Sequence, residues 1–228
     1  MILKLSKTIF VFQKILMSIK LFFELIKFRL SFLVTFSAVF GFLLSSNYIN
    51  YFSLFILIIS GFFITGSSII NNQIIEKDSD KLMNRTKNRP LPTNKISSRN
   101  ALFISLALSI TGLILMVLFL NKLTALLSFF SLIIYTFLYT PLKKVGPIAV
   151  FVGAIPGALP PLIGWAASTN DISLEALIIF SIQFIWQFPH FWAIAWVSDD
   201  DYKRAGFKLL PNNGKKNFSN AVNIMTYT

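Results

Sequence analysis

Apolar runs of close to 20 residues recur six times along this chain. A run of that length is enough to cross a bilayer as a helix. The runs lie near residues 30–46, 51–70, 101–120, 124–140, 147–168 and 173–197. In hydrocarbon every backbone polar group must be satisfied within the protein, which restricts repeated apolar runs of this length to helices. The sequence therefore predicts an all-α, polytopic membrane helix bundle. Composition agrees: 55% of residues are hydrophobic and 25 are Phe, more apolar than an ordinary soluble domain.

The formal charge of +12 does not point to nucleic acid, because the cations are confined to alternate connections. Lys4, Lys7, Lys14, Lys20, Lys27 and Arg29 precede or open the first span. A cluster runs from Lys77 to Arg99, Lys143 and Lys144 follow the fourth span, and Lys203, Arg204, Lys208, Lys215 and Lys216 follow the sixth. The loops between carry no charge, Lys122 alone, or Asp171 and Glu175. Basic loops stay cytoplasmic, so the amino terminus and every second loop are assigned to that side and the lipid bilayer is the first partner. The absence of Cys removes disulfides and thiolate metal sites. Residues 1–22, with spaced lysines and no acid beyond them until Glu24, read as a basic amphipathic segment on the cytoplasmic face. They lack the cleavage site and arginines of a targeting peptide.

The chemistry concentrates in the polar stretch Asn72–Pro92, NQIIEKDSDKLMNRTKNRPLP, at the end of the second run. Asn72, Glu76 and Asp80 are spaced i, i+4, i+8 and share one stripe of a helix. Oxygen ligands on such a stripe suit Mg²⁺, which keeps waters and takes substrate phosphate oxygens as further ligands. Asp78 points elsewhere if the helix continues, and joins the acids only if it has ended. Arg85 and Arg89 repeat the four-residue spacing and offer forked hydrogen bonds to phosphate. A solvated, topology-anchoring loop is the plain alternative. The sequence thus suggests a metal-bound diphosphate at a membrane surface.

The string NNQIIEKDSDKLMNRTKNRPL resembles the signature NxxxDxDxDxxMxRTxxRPL of the protohaem IX farnesyltransferase family, within the UbiA superfamily of intramembrane prenyltransferases. The resemblance continues in YTPLKK (Tyr139–Lys144), GALPPLIGWAA (Gly157–Ala167) and WQFPHFWAIAW…DDYKRAGFKLLP (Trp186–Pro211). It covers most of residues 23–228. Glu76 stands where the family usually has Asp.

The resemblance implies a reaction: a farnesyl group passes from farnesyl diphosphate to a vinyl group of protohaem IX (haem b), giving haem O. It implies Mg²⁺ as cofactor, a cell inner membrane location, and haem A synthase as a partner that consumes the product. It also carries roles onto residues. Asn72, Glu76, Asp78, Asp80 and Asp201 fall to the metal, and Arg29, Arg85, Arg89, Tyr139 and Lys143 to the diphosphate. Family members usually have about nine spans, so the match is expected to stop about three short, with a seventh beginning near Tyr227.

Each secondary position has a plainer reading beside this one. Lys143 beside Tyr139 is also what a snorkelling lysine at a helix end looks like, and Arg29 serves equally as a topology anchor. Asp199, Asp200 and Asp201 sit at the unfavourable end of a helix dipole, which asks for a partner. His190, the only His, lies inside an apolar span, where ionisable groups are costly and tend to be functional; a haem contact and a satisfied core histidine both remain open. The rival functions are a UbiA-type enzyme acting on an aromatic quinone precursor, and a carrier or inactive fragment.

Overall fold

The computed structural model describes residues 18–211. The expectations for the first 17 residues, for Lys215 and Lys216, and for the span starting near Tyr227 lie outside the described residues. Among the described residues all regular structure is helical.

After a helical stretch over 18–25 come α1 (Phe28–Ser45), α2 (Tyr51–Ile75), the short α3 (Lys77–Leu82), α4 (Ser98–Phe119) and α5 (Lys122–Ile133). The last continues through a π-helical turn (Ile134–Tyr139) to Leu142. Then follow α6 (Ile148–Thr169), α7 (Leu174–Val197) and the short α8 (Asp199–Ala205). Six of these are long and apolar enough to cross a membrane.

Local sequence sets several starts. Asn50, Ser97, Asn121 and Ser173 each accept a hydrogen bond from a backbone N–H in the first turn of α2, α4, α5 and α7. Such a cap contributes about 1 kcal/mol.

Lipid is as apolar as leucine, so helices in a membrane associate through close packing and interhelical hydrogen bonds. The tightest seam joins α1 to α6. A Cβ at Gly41 would lie 1.9 Å from the Pro161 carbonyl oxygen, and one at Gly164 would lie 1.8 Å from that of Ala38. Only glycine admits these backbones to one another. Ser46 and Ser168 share a 2.7 Å hydrogen bond at the far end of the seam. Between α2 and α4, Ser67 bonds Ser105 at 2.9 Å, and Ser105 donates to Asn71 at 2.7 Å.

The helix α6 runs unbroken past Pro156, Pro160 and Pro161. Proline removes the hydrogen bond to the carbonyl four residues back, so Pro161 frees that of Gly157. Gln187 of α7, 5% exposed, donates to that oxygen at 3.3 Å. A proline on one span is thus answered by an amide on the next.

Candidate functional site

The start of α1, the ends of α2, α5 and α7, and the basic loops beyond them meet on one side of the bundle. The chain turns there from the α2 helix into the loop containing Arg85 and Arg89.

The α2 helix reaches Ile75, five residues beyond the apolar run, because its last polar residues are buried and bonded. Asn72 is 3% exposed and donates to Thr140 at 3.1 Å. Glu76 interrupts the helix, yet its N–H bonds Asn72 and its carbonyl accepts from Asp80, at 2.9 and 2.7 Å. The i, i+4, i+8 stripe therefore survives the break into α3. Asn72, Glu76 and Asp80 are all buried. Asp78 is not among them: α3 turns it out to solvent, where its side chain is 91% exposed and paired with Lys81 at 2.8 Å.

Each buried acid meets a cation from elsewhere. Lys143 lies 2.8 Å from Glu76, and both are buried. Arg89 donates to both carboxylate oxygens of Asp80, at 2.9 and 2.8 Å. Burial works against the Lys143 ammonium, but Glu76 and Tyr135 outweigh it and hold its pKa above the ordinary value. The oxygen that meets the ammonium is Glu76 Oε1, so the pair is a charge-assisted contact inside the protein.

Tyr139 and Lys143 are brought together as the spacing predicted. The ammonium stands 4.6 Å above the Tyr139 ring. That ring lies flat against α6, where a Cβ at Gly153 would come within 2.6 Å of it. The π-helical turn sets this register. Its wider backbone ring lets the Thr140 N–H reach the Tyr135 carbonyl, which also accepts from the Thr140 hydroxyl at 2.8 Å. Such turns recur at functional sites.

Sequence reasoning missed Lys27, which it counted only as a topology cation. The residue has φ 47°, ψ 65°, left-handed for a side chain that rarely adopts it. Its ammonium is within electrostatic reach of Arg89, Lys143, Asp80 and Glu76. Burial first, then Arg89 and Lys143, hold its pKa down to about 7 against the pull of Asp80 and Glu76. No spacing rule would have found it; the signal is the strained backbone. Arg29, two residues on, is exposed at the start of α1, without an ion pair among the described residues.

Asp201 is held apart from the stripe. Its two oxygens accept from the backbone N–H groups of Asn84 and Arg85, each at 3.0 Å, and it also pairs with Arg204. These bonds, Arg85 first, hold its pKa below the ordinary carboxylate value. The Arg85 side chain is exposed. Among the described residues no three His, Asp or Glu side chains converge on one point. The oxygen donors that do share a stripe are two carboxylates and an amide. His190 stacks on Trp186, with ring centres 4.8 Å apart, and also meets Phe191, whose ring in turn meets Tyr139.

Residues 34–227 match the UbiA prenyltransferase family. Among curated proteins, the chain is 49% identical over 208 residues to the protoheme IX farnesyltransferase of Cytophaga hutchinsonii, covering 91% of this chain and 73% of that one. It is 47% identical over 210 residues to that of Flavobacterium psychrophilum, covering 91% and 69%. A solved digeranylgeranylglyceryl phosphate synthase shares its fold, with TM-score 0.74 at 23% identity over 92% of this chain and 73% of that one. So does a UbiA homolog from Archaeoglobus fulgidus bound to GPP and Mg²⁺, with TM-score 0.71 at 20% identity over 91% and 73%. The chain belongs to the UbiA prenyltransferase family, and it is a polytopic membrane protein.

Proposed function

We propose that this chain is a protohaem IX farnesyltransferase that joins the farnesyl group of farnesyl diphosphate to a vinyl group of haem b, giving haem O. One observation supports the reading most: two buried carboxylates and an amide on one helical stripe, each acid paired with a cation drawn from another part of the chain. A buried charge survives only with compensation. Cations brought from outside the helix to its buried acids are what a site for a metal–diphosphate needs before its ligand arrives. The close relatives carry this activity in their names.

Asn72, Glu76 and Asp80 would hold Mg²⁺, since carboxylate and amide oxygens on one stripe are the hard donors it takes. When bound, the ion would draw negative charge from the diphosphate as its bond to the farnesyl carbon breaks. Lys143, Arg89 and Lys27 supply positive charge to the same leaving group. Arg89 and Lys143 exchange carboxylate partners for phosphate oxygens as the ligand enters. Arg85 and Arg29, both exposed, stand at the rim. Tyr139 presents its ring face beside Lys143, and an aromatic face stabilises a developing cation.

The allylic C–O bond breaks with its electron pair leaving on diphosphate. The vinyl π-pair then bonds to the farnesyl carbon. Water adds to the resulting cation and loses a proton, which leaves the hydroxyl of haem O. His190 beside Trp186 offers an imidazole and a flat surface for the porphyrin. Asp201 serves the site through the loop it holds. The basic end of the bundle faces the cytoplasm across the inner membrane, and haem A synthase is a natural recipient of the product.

Membranes carrying the chain, given farnesyl diphosphate, Mg²⁺ and protohaem, test the reading by chromatography and mass spectrometry. Haem O from the natural sequence and none from Asp80→Ala is expected. Equal haem O from both would overturn the site. Product from an aromatic quinone precursor and none from protohaem would overturn the acceptor.

A further inference from the structure

The left-handed turn at Lys27 breaks the helix that would otherwise run from residue 18 into α1. Leu25 and Ile26 are pinned beside it, 0% and 1% exposed, in an apolar cluster with Ile70, Leu91 and Ala101. The break deprives their carbonyls of helical donors. Both are nonetheless satisfied by side chains. Gln73 Nε2 donates to the Leu25 oxygen at 2.6 Å, across 48 residues of sequence. Ser31 Oγ donates to the Ile26 oxygen at 2.7 Å.

Gln73 is fully buried, and its own Oε1 has no partner. An unsatisfied buried acceptor is costly, and an apolar side chain of similar size would avoid it. The amide is retained for what it donates. It sits next to Asn72 on α2, so the same helix that carries the acidic stripe also grips the turn. The two cations differ in setting: Lys27 is part-buried and feels the charges of Arg89, Lys143, Asp80 and Glu76, whereas Arg29 is exposed.

We infer that Gln73, assisted by Ser31, is a positioning residue that locks the left-handed turn and thereby delivers Lys27 as a cation of the diphosphate subsite. This rests on the diphosphate reading above. Gln73 touches no substrate in this account; it acts through Lys27.

The test is a double-mutant cycle on the full chain in lipid nanodiscs, reading the affinity for inorganic diphosphate with Mg²⁺ by calorimetry. Lys27→Gln weakens binding about tenfold, the scale of one charge-assisted contact. Gln73→Leu weakens it several-fold, and the double variant binds no more weakly than Lys27→Gln alone, as expected when one residue works through the other. Additive losses, or unchanged affinity in Gln73→Leu, overturn the inference.

Ser31→Ala, a milder change, runs the same cycle should Gln73→Leu fail to fold. Amine modification of Lys27, read by mass spectrometry, tests the turn without ligand. Modification rises in Gln73→Leu and in Ser31→Ala; unchanged modification overturns the lock. A natural sequence that does not bind diphosphate, with Lys27 modification still rising in the variants, would sink the diphosphate reading and leave the lock standing.

Discussion

Two acidic helix ends look alike in the sequence and differ in the structure. At the end of α2, Glu76 and Asp80 are buried, and their cations come from residues 143 and 89. In α8, Asp199 is buried as well, but it pairs with the exposed Lys203, and the part-buried Asp201 pairs with the exposed Arg204, partners four and three residues away on the same short helix. The Glu76–Lys143 pair needs the bundle to exist, and the Asp80–Arg89 pair needs the folded loop beyond α3; the ion pairs of α8 need only their own short helix. The acids of the stripe draw on cations from outside their helix that are themselves largely buried, whereas the acids of α8 pair with exposed cations of their own helix. The long-range hydrogen bonds of α8 are those by which Asp201 grips the backbone at Asn84 and Arg85, beside the packing of Ala205 on Met83. That grip ties the second acidic end to the loop of the first.

The sharpest way to break this contrast is to remove one acid from each end. Asp80→Ala leaves the Arg89 guanidinium without its buried partner, a change costing about 3–5 kcal/mol of stability. Haem O formation should fall at least a hundredfold, on the order of a lost electrostatic group in an active site. Asp200→Ala, on the exposed face of α8, should leave the rate unchanged. Equal losses in the two variants would erase the distinction.

A smaller effect is expected from the couplings. Double-mutant cycles in denaturant should give about 1–3 kcal/mol between Glu76 and Lys143. Between Asp199 and Lys203 the coupling should be smaller, because the Lys203 end of that pair stands in solvent. Comparable couplings would mean that burial does not decide the matter.

Asp201→Asn should speed amide exchange at Asn84 and Arg85 by about tenfold, through loss of two charge-assisted hydrogen bonds, while the Asp80–Arg89 pair persists. The smallest effect is in pH. A carboxyl with a depressed pKa contributes stability above its ordinary value and loses it only below the lowered one. Protection of those two amides should persist as pH falls through 3.8 and disappear at lower pH. Loss of protection already above 3.8 would show that Asp201 does not hold the loop.

The six spans were legible because a 20-residue apolar run has few alternatives in lipid. Their ends were less so. The sequence reading closed the second span at Ile70, where polarity begins, but α2 continues to Ile75 because Asn71, Asn72 and Gln73 find partners inside the protein. Polarity marks the end of lipid contact, not the end of the helix. The stripe of Asn72, Glu76 and Asp80 was readable because helical spacing is periodic. Lys27 was not, because a left-handed turn reverses what spacing implies: Arg29, the better candidate on paper, faces outward. Asp201 was readable as important, but its partners are backbone N–H groups, which leave no mark in the sequence. The π-helical turn before Thr140 was equally invisible.

The glycine seam between α1 and α6 also bears on biosynthesis. The chain enters the membrane in order, and the surface that Gly41 offers is matched only by a span more than a hundred residues later, as the Ser46–Ser168 bond records. Until α6 arrives, the first helix has a notch filled by nothing but lipid. That seam is therefore closed by the fifth membrane crossing, and the cation turn at the head of α1 acquires its final setting late in synthesis. Substitutions at Gly164 would accordingly be felt as a failure of assembly, before any substrate is met.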